Sequence, residues 1–262
     1  MEEDPAVVAR LRAAGCVFAE EEARLLTEAA RTPADLEAMV GQREKGLPLE
    51  QVVGWADFCG LRIFVDPGVF VPRRRSEFLV ATAVSLASGA SPVIVDLCCG
   101  TGALGLAVAA RLAAAGRAAG LHATDIDPAA AGCARRNVEP AGGRVYQGDL
   151  FGPLPAELRG RVTVLICNAP YVPTGDIALL PPEARDYEPR TALDGGSDGL
   201  SVLRRAAAEA PRWLAPGGVL LVETSDPQAP LMTGVMTAAG LTGRVHRCAE
   251  YESTVVTGTA PG

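Results

Sequence analysis

Hydrophobic and polar positions divide the chain into parts with different patterns. Between residues 5 and 45, apolar positions recur every three or four residues among charged ones, which indicates amphipathic helices. The segment RTPADLEAMV adds a helix start, with Thr32 as the cap before Pro33. This part is therefore predicted to be a small module of two or three helices.

From residue 76 onward, short strands alternate with longer helical segments. The runs PVIVDL, LHATD, RVYQG, VTVLICN and GVLLVET are typical of buried strands, and helical stretches such as ALGLAVAARLAAAG and PAAAGCARRNV lie between them. Two further strands are expected near residues 243–247 and 253–258. This alternation predicts an α/β fold with a seven-stranded, mostly parallel sheet and helices on both faces.

The stretch between these two parts has a third pattern. Short β-rich runs in EQVVGWADFCGLRIFVDPGVFVPR are separated by glycines and by Pro67-Gly68, which suggests a β-hairpin. We therefore expect three units: a helical domain over residues 1–47, a β-hairpin linker over 48–75 and an α/β domain over 76–262.

Composition narrows the class of protein. The chain has 262 residues, 48% of them hydrophobic, without a run of about 18 uncharged apolar residues, so we expect a globular protein with a sizeable core and no membrane span. The start Met1-Glu2-Glu3-Asp4 lacks a basic and apolar signal segment, which predicts a cytoplasmic protein. The net charge of −7 argues against a long phosphate-tracking surface, so no stable nucleic-acid binding is expected.

The cysteines and histidines do not predict a metal site. The seven cysteines are scattered without a C-x-x-C pair, and the two histidines, His122 and His246, have no metal or triad spacing. We expect reduced thiols that mostly pack in the core, no bound metal and no histidine-centred acid–base chemistry.

A glycine-rich turn follows the first predicted strand of the α/β domain. In VIVDLCCGTGALG the strand ends near Asp96, and Gly100, Gly102 and Gly105 lie where the next helix begins. Open α/β sheets bind ligands at such turns, because glycine lets the backbone approach them, although Gly105 is better explained by helix–strand packing. The spacing satisfies G-x-G-x-x-G, and Asp125 ends the second strand, so a dinucleotide is one candidate ligand.

S-adenosylmethionine fits the same turn better. The pattern D-x-x-x-G-x-G from Asp96 resembles the first motif of Rossmann-like methyltransferases, in which an acid helps to receive the cationic methionine end. A carboxylate there would repel a pyrophosphate, which prefers bare backbone N–H groups. Asp125 is expected to accept the two ribose hydroxyls, and Asp149 in QGDLF stands where methyltransferases hold the adenine amino group. The predicted cofactor contacts are Asp96, Cys98, Gly100, Thr101, Gly102, Asp125, Ile126, Asp149, Leu150 and Asn168.

The tetrapeptide Asn168-Ala169-Pro170-Tyr171 ends the fourth strand of the α/β domain. Together with LEQVVGWADFCGLRIFVDPGVFVPRRRSE, the glycine turn, ATDIDPAAAGCARRN, GDLF and DYEPRTALDGGSDGL, it resembles the HemK-type protein-(glutamine-N5) methyltransferase family, which modifies peptide-chain release factors. The likeness covers most of the chain, although Ala169 stands where the family usually has proline. The resemblance implies a class I methyltransferase domain, S-adenosylmethionine as cofactor with S-adenosylhomocysteine as product, and N-terminal helices that dock the protein substrate.

The tetrapeptide suits the methylation of a planar nitrogen. The lone pair of an amide nitrogen is delocalised, so a site must hold the NH₂ group with that lone pair toward the methyl group. The side-chain oxygen of Asn168 and the backbone carbonyl of Ala169 can each accept one N–H, Tyr171 can pack its ring on the amide, and Pro170 can fix the turn. These four residues form the predicted catalytic set; no strong general base is needed, because carbonyl dipoles would stabilise positive charge on the nitrogen.

Two further segments are predicted near the substrate. DYEPRTAL resembles the family's loop over the substrate pocket, which implies that Glu188 and Pro189 shape the site together with Asn168 and Tyr171. The run Arg73-Arg74-Arg75 has two interpretations: it lines the cleft, or it belongs to a helix start that Ser76 and Glu77 cap. We favour the cap, because Ser and Glu are common at helix starts.

The leading hypothesis is an enzyme that methylates a glutamine side-chain amide of a protein, the Gly-Gly-Gln loop of a release factor being the substrate that the resemblance implies. Three alternatives stay open. In the first, the protein is a paralogue that methylates another amide, a guanidine or a small metabolite. In the second, it is a nucleic-acid adenine N6-methyltransferase, since Asn-x-Pro-Tyr suits any planar NH₂. In the third, it binds the cofactor without catalysis. The acidic net charge argues against the nucleic-acid enzyme.

Overall fold

The N-terminal part of the chain is a helical module. The computed structural model describes residues 4–262. Three helices pack around one buried apolar cluster: α1 (Pro5–Ala13), α2 (Ala19–Ala29) and α3 (Pro33–Glu44). Thr32 caps α3 as predicted, because its side-chain oxygen accepts the backbone N–H of Asp35 at 3.1 Å. The helical periodicity near the N-terminus thus corresponds to three packed helices.

A short helix and a hairpin connect this module to the sheet. Residues Leu49–Val53 form α4, so the prediction of a β-rich run in EQVV is wrong. Its two valines favour a strand by propensity, but they pack against the helical module, and this contact overrides the propensity. The predicted hairpin follows as β1 (Trp55–Phe58) and β2 (Leu61–Phe64), joined by a two-residue turn in which Cys59 and Gly60 both have positive φ.

The other strands form one sheet. In chain order they are β3 (Val93–Leu97), β4 (Gly120–Asp125), β5 (Arg144–Gln147), β6 (Val162–Cys167), β7 (Leu214–Thr224), β8 (Thr242–Cys248) and β9 (Ser253–Thr259). Across the sheet their order is β5-β4-β3-β6-β7-β9-β8, with β9 antiparallel to both of its neighbours and the other pairs parallel. The predicted α/β fold with a seven-stranded, mostly parallel sheet is confirmed.

Helices cover both faces of this sheet. They are α5 (Glu77–Leu86), α6 (Ala103–Ala114), α7 (Pro128–Val138), α8 (Pro182–Tyr187), α9 (Ser201–Glu209) and α10 (Ala229–Ala238), of which α8 is a short helix in the loop after β6. Strand side chains alternate between two cores. Val95 and Leu97 pack with residues of α9 and α10, whereas Ile94 packs with residues of α5, α6 and α7. Both faces are therefore buried, as parallel sheets require.

The carboxyl ends of the parallel strands meet at one edge of the sheet, where α6 packs closely on β3. A Cβ atom at Gly105 would lie 2.8 Å from Cδ1 of Leu121 and 3.0 Å from Cβ of Asp96, so the site accepts only glycine without rearrangement. Gly105 therefore serves helix–strand packing, as predicted. Within residues 4–262, the helices are all too short or too polar to cross a membrane.

Candidate active site

A cavity of about 390 Å³ opens at the carboxyl edge of the sheet. Its walls come from the glycine turn after β3, the ends of β4 and β5, the tetrapeptide after β6, the end of the linker and the loop around α8. Sequence motifs that are more than 70 residues apart along the chain, such as Gly100 and Tyr171, thus line one space. All of the predicted cofactor and acceptor residues except Asp96 and Gly102 share this cavity.

The glycine turn has the backbone geometry that only a few residue types adopt. Gly100 and Gly102 have φ values of 55° and 77°, and Cys98 has a φ of 53°. Cys98, Gly100 and Thr101 line the cavity, as do the predicted contacts Ile126 and Leu150 from the next two strand ends. Gly102 lies behind the turn, where a Cβ atom would come within 2.6 Å of the Val138 side chain.

Asp125 holds the turn and also faces the cavity. Its Oδ2 accepts the N–H of Gly100 at 2.8 Å, and its Oδ1 accepts the N–H of Asp127 at 2.9 Å. Each carboxylate oxygen keeps a second lone pair for a further donor. Burial raises the pKa of Asp125, since few waters reach the carboxylate. Beside it, Ile126 is 62% exposed and presents an apolar surface to the cavity.

Asp96 does not line the cavity, in contrast to the direct cofactor contact that we predicted for it. The side chain is fully buried, and its Oδ2 accepts the N–H of Gly105 at 2.8 Å at the start of α6. Its Oδ1 has no hydrogen-bond partner among the described residues. Burial raises the pKa of Asp96 to about 7. The acid therefore anchors the helix behind the turn.

This buried acid predicts a pH-dependent stability. The pKa of Asp96 is about 7 in the fold and about 3.9 in an unfolded chain, so between these values the folded protein keeps a proton that the unfolded chain releases. The free energy of unfolding should therefore fall as the pH rises from about 4 to about 7, by at most about 1.4 kcal/mol per pH unit, relative to an Asp96→Asn variant. Urea unfolding of both proteins from about pH 5 to about pH 8 checks this. A difference between them that is constant over this range would contradict it.

The tetrapeptide presents one polar side chain to the cavity that has no hydrogen-bond partner among residues 4–262. Asn168 lines the cavity, and its side chain makes no hydrogen bond with the residues that the structure describes. Ala169 is 2% exposed, and its side chain packs in the buried core beneath the cavity. Because the side chain is small and buried, the backbone of Ala169 lies at the cavity wall. The backbone at the end of the tetrapeptide is held in place, because the carbonyl of Tyr171 accepts a hydrogen bond from Nε2 of Gln228 at 2.9 Å.

Tyr171 belongs to a hydrogen-bonded group that the sequence analysis missed. Its hydroxyl donates to Oε1 of Glu223 at 2.9 Å and accepts from Nη2 of Arg75 at 2.6 Å, and Nε of Arg75 lies 3.1 Å from the same Glu223 oxygen. Burial and the Glu223 carboxylate raise the pKa of Tyr171, which therefore stays protonated. Glu223 is the penultimate residue of β7, the strand beside β6, and an acid at that strand end is the signal that could have revealed it.

Glu188 and Pro189 line the cavity as predicted from the loop sequence. The Glu188 side chain is 0% exposed, and its Oε1 accepts the N–H of Val71 at 3.2 Å and pairs with Nη2 of Arg73 at 2.5 Å. Its Oε2 has no hydrogen-bond partner among the described residues. Burial raises the pKa of Glu188 despite the nearby Arg73.

Two of the three arginines of the basic run line the cleft. Arg73 and Arg75 both contribute to the cavity wall and pair with buried carboxylates. The preferred interpretation as a helix cap is wrong, because the Ser76 side chain does not cap α5 and its hydroxyl is buried without a partner in the described chain. The Glu77 carboxylate instead accepts the N–H of Cys59 at 3.2 Å in the hairpin turn.

Asp149 lies at the cavity mouth, where it already has a partner. Its carboxylate pairs with Nη2 of Arg205 on α9 at 2.5 Å, and both residues line the cavity with about half of each side chain exposed. Sequence reasoning missed Arg205, because it lies in an ordinary amphipathic helix. The histidines lie elsewhere: His122 contacts Tyr146 and His246 contacts Thr257.

Comparison with known proteins identifies the family. A family model of the methyltransferase small domain matches residues 60–179. A release factor glutamine methyltransferase of Geobacter sulfurreducens is 40% identical over 204 residues, which cover 77% of this chain and 69% of that protein. The chain belongs to the release factor glutamine methyltransferase family. It is an S-adenosylmethionine-dependent methyltransferase, and the family named by its resemblance is confirmed.

One similar protein is named for a different acceptor. A 4-amino-L-phenylalanine/4-methylamino-L-phenylalanine methyltransferase of Streptomyces pristinaespiralis is 37% identical over 199 residues, covering 74% of this chain and 66% of that protein. A methyltransferase structure from Pyrococcus furiosus superposes on this chain with a TM-score of 0.56 at 16% sequence identity, and the match covers 87% of this chain and all of that one. That structural likeness supports the class I methyltransferase fold.

Proposed function

We propose that this protein methylates the side-chain amide nitrogen of a glutamine in a protein, with the Gly-Gly-Gln loop of a peptide-chain release factor as its substrate. The names of its relatives support a release factor as the partner. The observation that carries the proposal is the Asn168 side chain, which lines the cavity of the glycine turn without a partner among the described residues. An amide NH₂ group is a donor that would satisfy it.

The residues that line the β3 and β4 side of the cavity fit S-adenosylmethionine. Asp125 has lone pairs left for the two ribose hydroxyls, Gly100 and Thr101 bring backbone to the cavity wall, and Ile126 and Leu150 offer apolar surface for a planar ring. Asp149 lies at the mouth, where it can accept an amino group beside Arg205. When bound, S-adenosylmethionine supplies an electrophilic methyl group on a positively charged sulfur.

The acceptor side would orient the amide by two hydrogen bonds. The Asn168 side-chain oxygen and the Ala169 carbonyl each accept one N–H, which directs the nitrogen lone pair along a single line. Tyr171 packs its ring on the planar amide, and its bonds to Arg75 and Glu223 keep that ring from turning away. The carbonyl dipoles stabilise positive charge that develops on the nitrogen, and the product amide loses its extra proton to water.

The replacement of the family's usual proline by Ala169 is compatible with this arrangement. A backbone carbonyl acceptor is present with either residue, and the buried Ala169 packs in the core below the tetrapeptide. Pro170 still restricts the backbone of the residue that precedes it. We therefore propose that Asn168, Ala169, Pro170 and Tyr171 act together as the catalytic group.

A labelled-methyl assay tests the proposed substrate. Purified release factor and a variant with alanine in place of the loop glutamine are each incubated with the protein and methyl-labelled S-adenosylmethionine. We expect label in the native factor only. Label in neither factor, from a protein that binds the cofactor by calorimetry, would contradict the release factor as substrate.

The Streptomyces pristinaespiralis relative favours one second candidate, methylation of an arylamine on a small amino acid. An aromatic NH₂ group is also planar and donates two N–H bonds, so Asn168 and the Ala169 carbonyl could orient it in the same way. The same assay with 4-amino-L-phenylalanine as acceptor separates the two. Label in this compound and none in the release factor would favour the small-molecule function.

Glu188 is expected to recognise the acceptor, because one of its buried oxygens has no donor among the described residues. Glu188→Gln keeps the size of the side chain and removes its charge. We expect the KM for the protein substrate to rise by about tenfold or more, since hydrogen bonds to charged groups contribute about 1.5–3 kcal/mol. The cofactor affinity should not change.

Steady-state kinetics and calorimetry measure these two quantities, and the exposed Glu139, replaced in the same way, is the matched control. A KM for Glu188→Gln that equals that of the control would contradict the assigned role.

A further inference from the structure

The short helix over the cavity is attached to the helical module. Glu183 and Ala184 of α8 line the cavity, and Glu188 follows directly after this helix. Oε1 of Glu183 lies 2.9 Å from Nη1 of Arg43 in α3. Four residues further along, the hydroxyl of Tyr187 donates to the backbone carbonyl of Lys45, just after α3. Both ends of α8 thus contact the same corner of the module.

Arg43 is an unusual residue for such a contact, because it is 4% exposed. Its Nε pairs with Oε2 of Glu22 at 2.8 Å, and its Nη2 lies 3.4 Å from Sγ of Cys16. Among the described residues of the module, Glu22 is the carboxylate that pairs with this guanidinium and balances its charge. The pair with Glu183, whose side chain is half exposed, is therefore not needed to balance the buried charge, and it connects the module to α8.

On its other side, α8 leads directly to the cavity wall. The N–H of Glu188 donates to the carbonyl of Ala184 at 3.1 Å, so the position of Glu188 depends on that of the helix. The Glu188 carboxylate in turn accepts the N–H of Val71 and pairs with Arg73. A continuous set of polar contacts therefore runs from Arg43 in the module to the acceptor side of the cavity.

We propose that Arg43 is a positioning residue for methyl transfer: through Glu183 it holds α8, and thereby Glu188, at the acceptor side of the cavity. The effect on the acceptor rests on the proposed function. The helical module then contributes to the reaction even with an acceptor peptide that is too short to touch it. A module that only docks the protein substrate would make no difference to such a peptide.

The test removes the attachment and leaves the module intact. The double variant Glu183→Met/Tyr187→Phe lacks both contacts, because neither new side chain carries an oxygen that can accept from Arg43 or donate to Lys45, while Arg43 keeps Glu22. Arg185→Met is the matched control, because Arg185 lies in the same helix and pairs only with its neighbour Asp186 in the described chain. Two quantities are measured on the full chain: amide hydrogen exchange of Val71 and Glu188 by NMR, and methyl transfer to a short Gly-Gly-Gln peptide.

We expect the Val71 and Glu188 amides to exchange about tenfold faster in the double variant, and kcat/KM for the peptide to fall by about tenfold, as the loss of ordinary hydrogen bonds would cause. The cofactor affinity and the control variant should match the wild type. Unchanged exchange, or faster exchange with unchanged peptide turnover, would overturn the proposal. Should the wild type methylate neither peptide nor release factor, the proposed substrate is wrong, and Val71 exchange alone decides whether the attachment positions Glu188.

Discussion

Replacing Asn168 with alanine is expected to remove most of the methyl transfer and to leave cofactor binding nearly unchanged. The side chain forms no hydrogen bond with other described residues, so its loss breaks no contact that holds the fold. It would remove one of two acceptors that orient the amide and stabilise its developing charge, and the loss of one such preorganised group lowers kcat by about 100- to 1,000-fold. Single-turnover kinetics and calorimetry with S-adenosylmethionine measure the two effects.

Asn168→Asp is a useful companion to this variant. It keeps the oxygen acceptor and the side-chain size, so it should retain more turnover than alanine if the oxygen is what matters. An equal loss of cofactor affinity and turnover in Asn168→Ala would mean that the residue belongs to the cofactor site. The assignment of Asn168 to the acceptor would then be wrong.

Much of the fold could be predicted from the sequence because its local and global signals agree. The buried strands PVIVDL and VTVLICN are short and apolar, and each is followed by a turn with glycine or proline, so their parallel arrangement follows from the alternation with helices. The tetrapeptide could be located for the same reason. A polar residue directly after a buried parallel strand lies at the ligand-binding edge of the sheet.

The parts that were missed depend on contacts between distant segments. Glu223 meets Tyr171 across 52 residues of chain, and Arg75 meets Tyr171 across 96. Neither pairing leaves a local pattern, since an isolated Glu at a strand end and an Arg in a basic run occur in many proteins. The interpretation of Ser76 as a cap was wrong for this reason: the local sequence allowed it, and the hydroxyl is buried in the structure.

Asp96 shows that a family motif can be located correctly from the sequence although the direction of a side chain within it is not predicted. The acid lies at the predicted strand end, yet its carboxylate holds the first turn of α6 and stays out of the cavity wall. A sequence pattern gives the position along the strand, and the pleat decides which way the side chain points. Any influence of Asp96 on a cationic ligand would be through its charge and not through contact.

Asp125 differs from Asn168 in that it supports the turn as well as facing the cavity, so its replacement should affect the cofactor and spare the chemistry. Asp125→Ala leaves the N–H groups of Gly100 and Asp127 without their acceptor and removes the proposed ribose contact. Since hydrogen bonds to charged groups contribute about 1.5–3 kcal/mol, the Kd for S-adenosylmethionine should rise by about 10- to 150-fold. At saturating cofactor, kcat should stay within a few-fold of the wild type, because the acceptor is oriented by the other side of the cavity.

Calorimetric titration and kcat at several cofactor concentrations distinguish these effects. The variant Asp125→Asn separates the role of the negative charge from the role of the carboxylate in holding the turn, because its amide oxygen can still accept the Gly100 N–H. If the carboxylate acts chiefly on the ribose, both variants weaken binding alike; if it acts chiefly on the turn, Asp125→Asn recovers most of the affinity. A kcat for Asp125→Ala that falls as far as that of Asn168→Ala at saturation would contradict the division of the cavity into a cofactor side and an acceptor side. The two replacements together therefore test whether binding and reaction are carried by different strand ends, β4 for the cofactor and β6 for the acceptor.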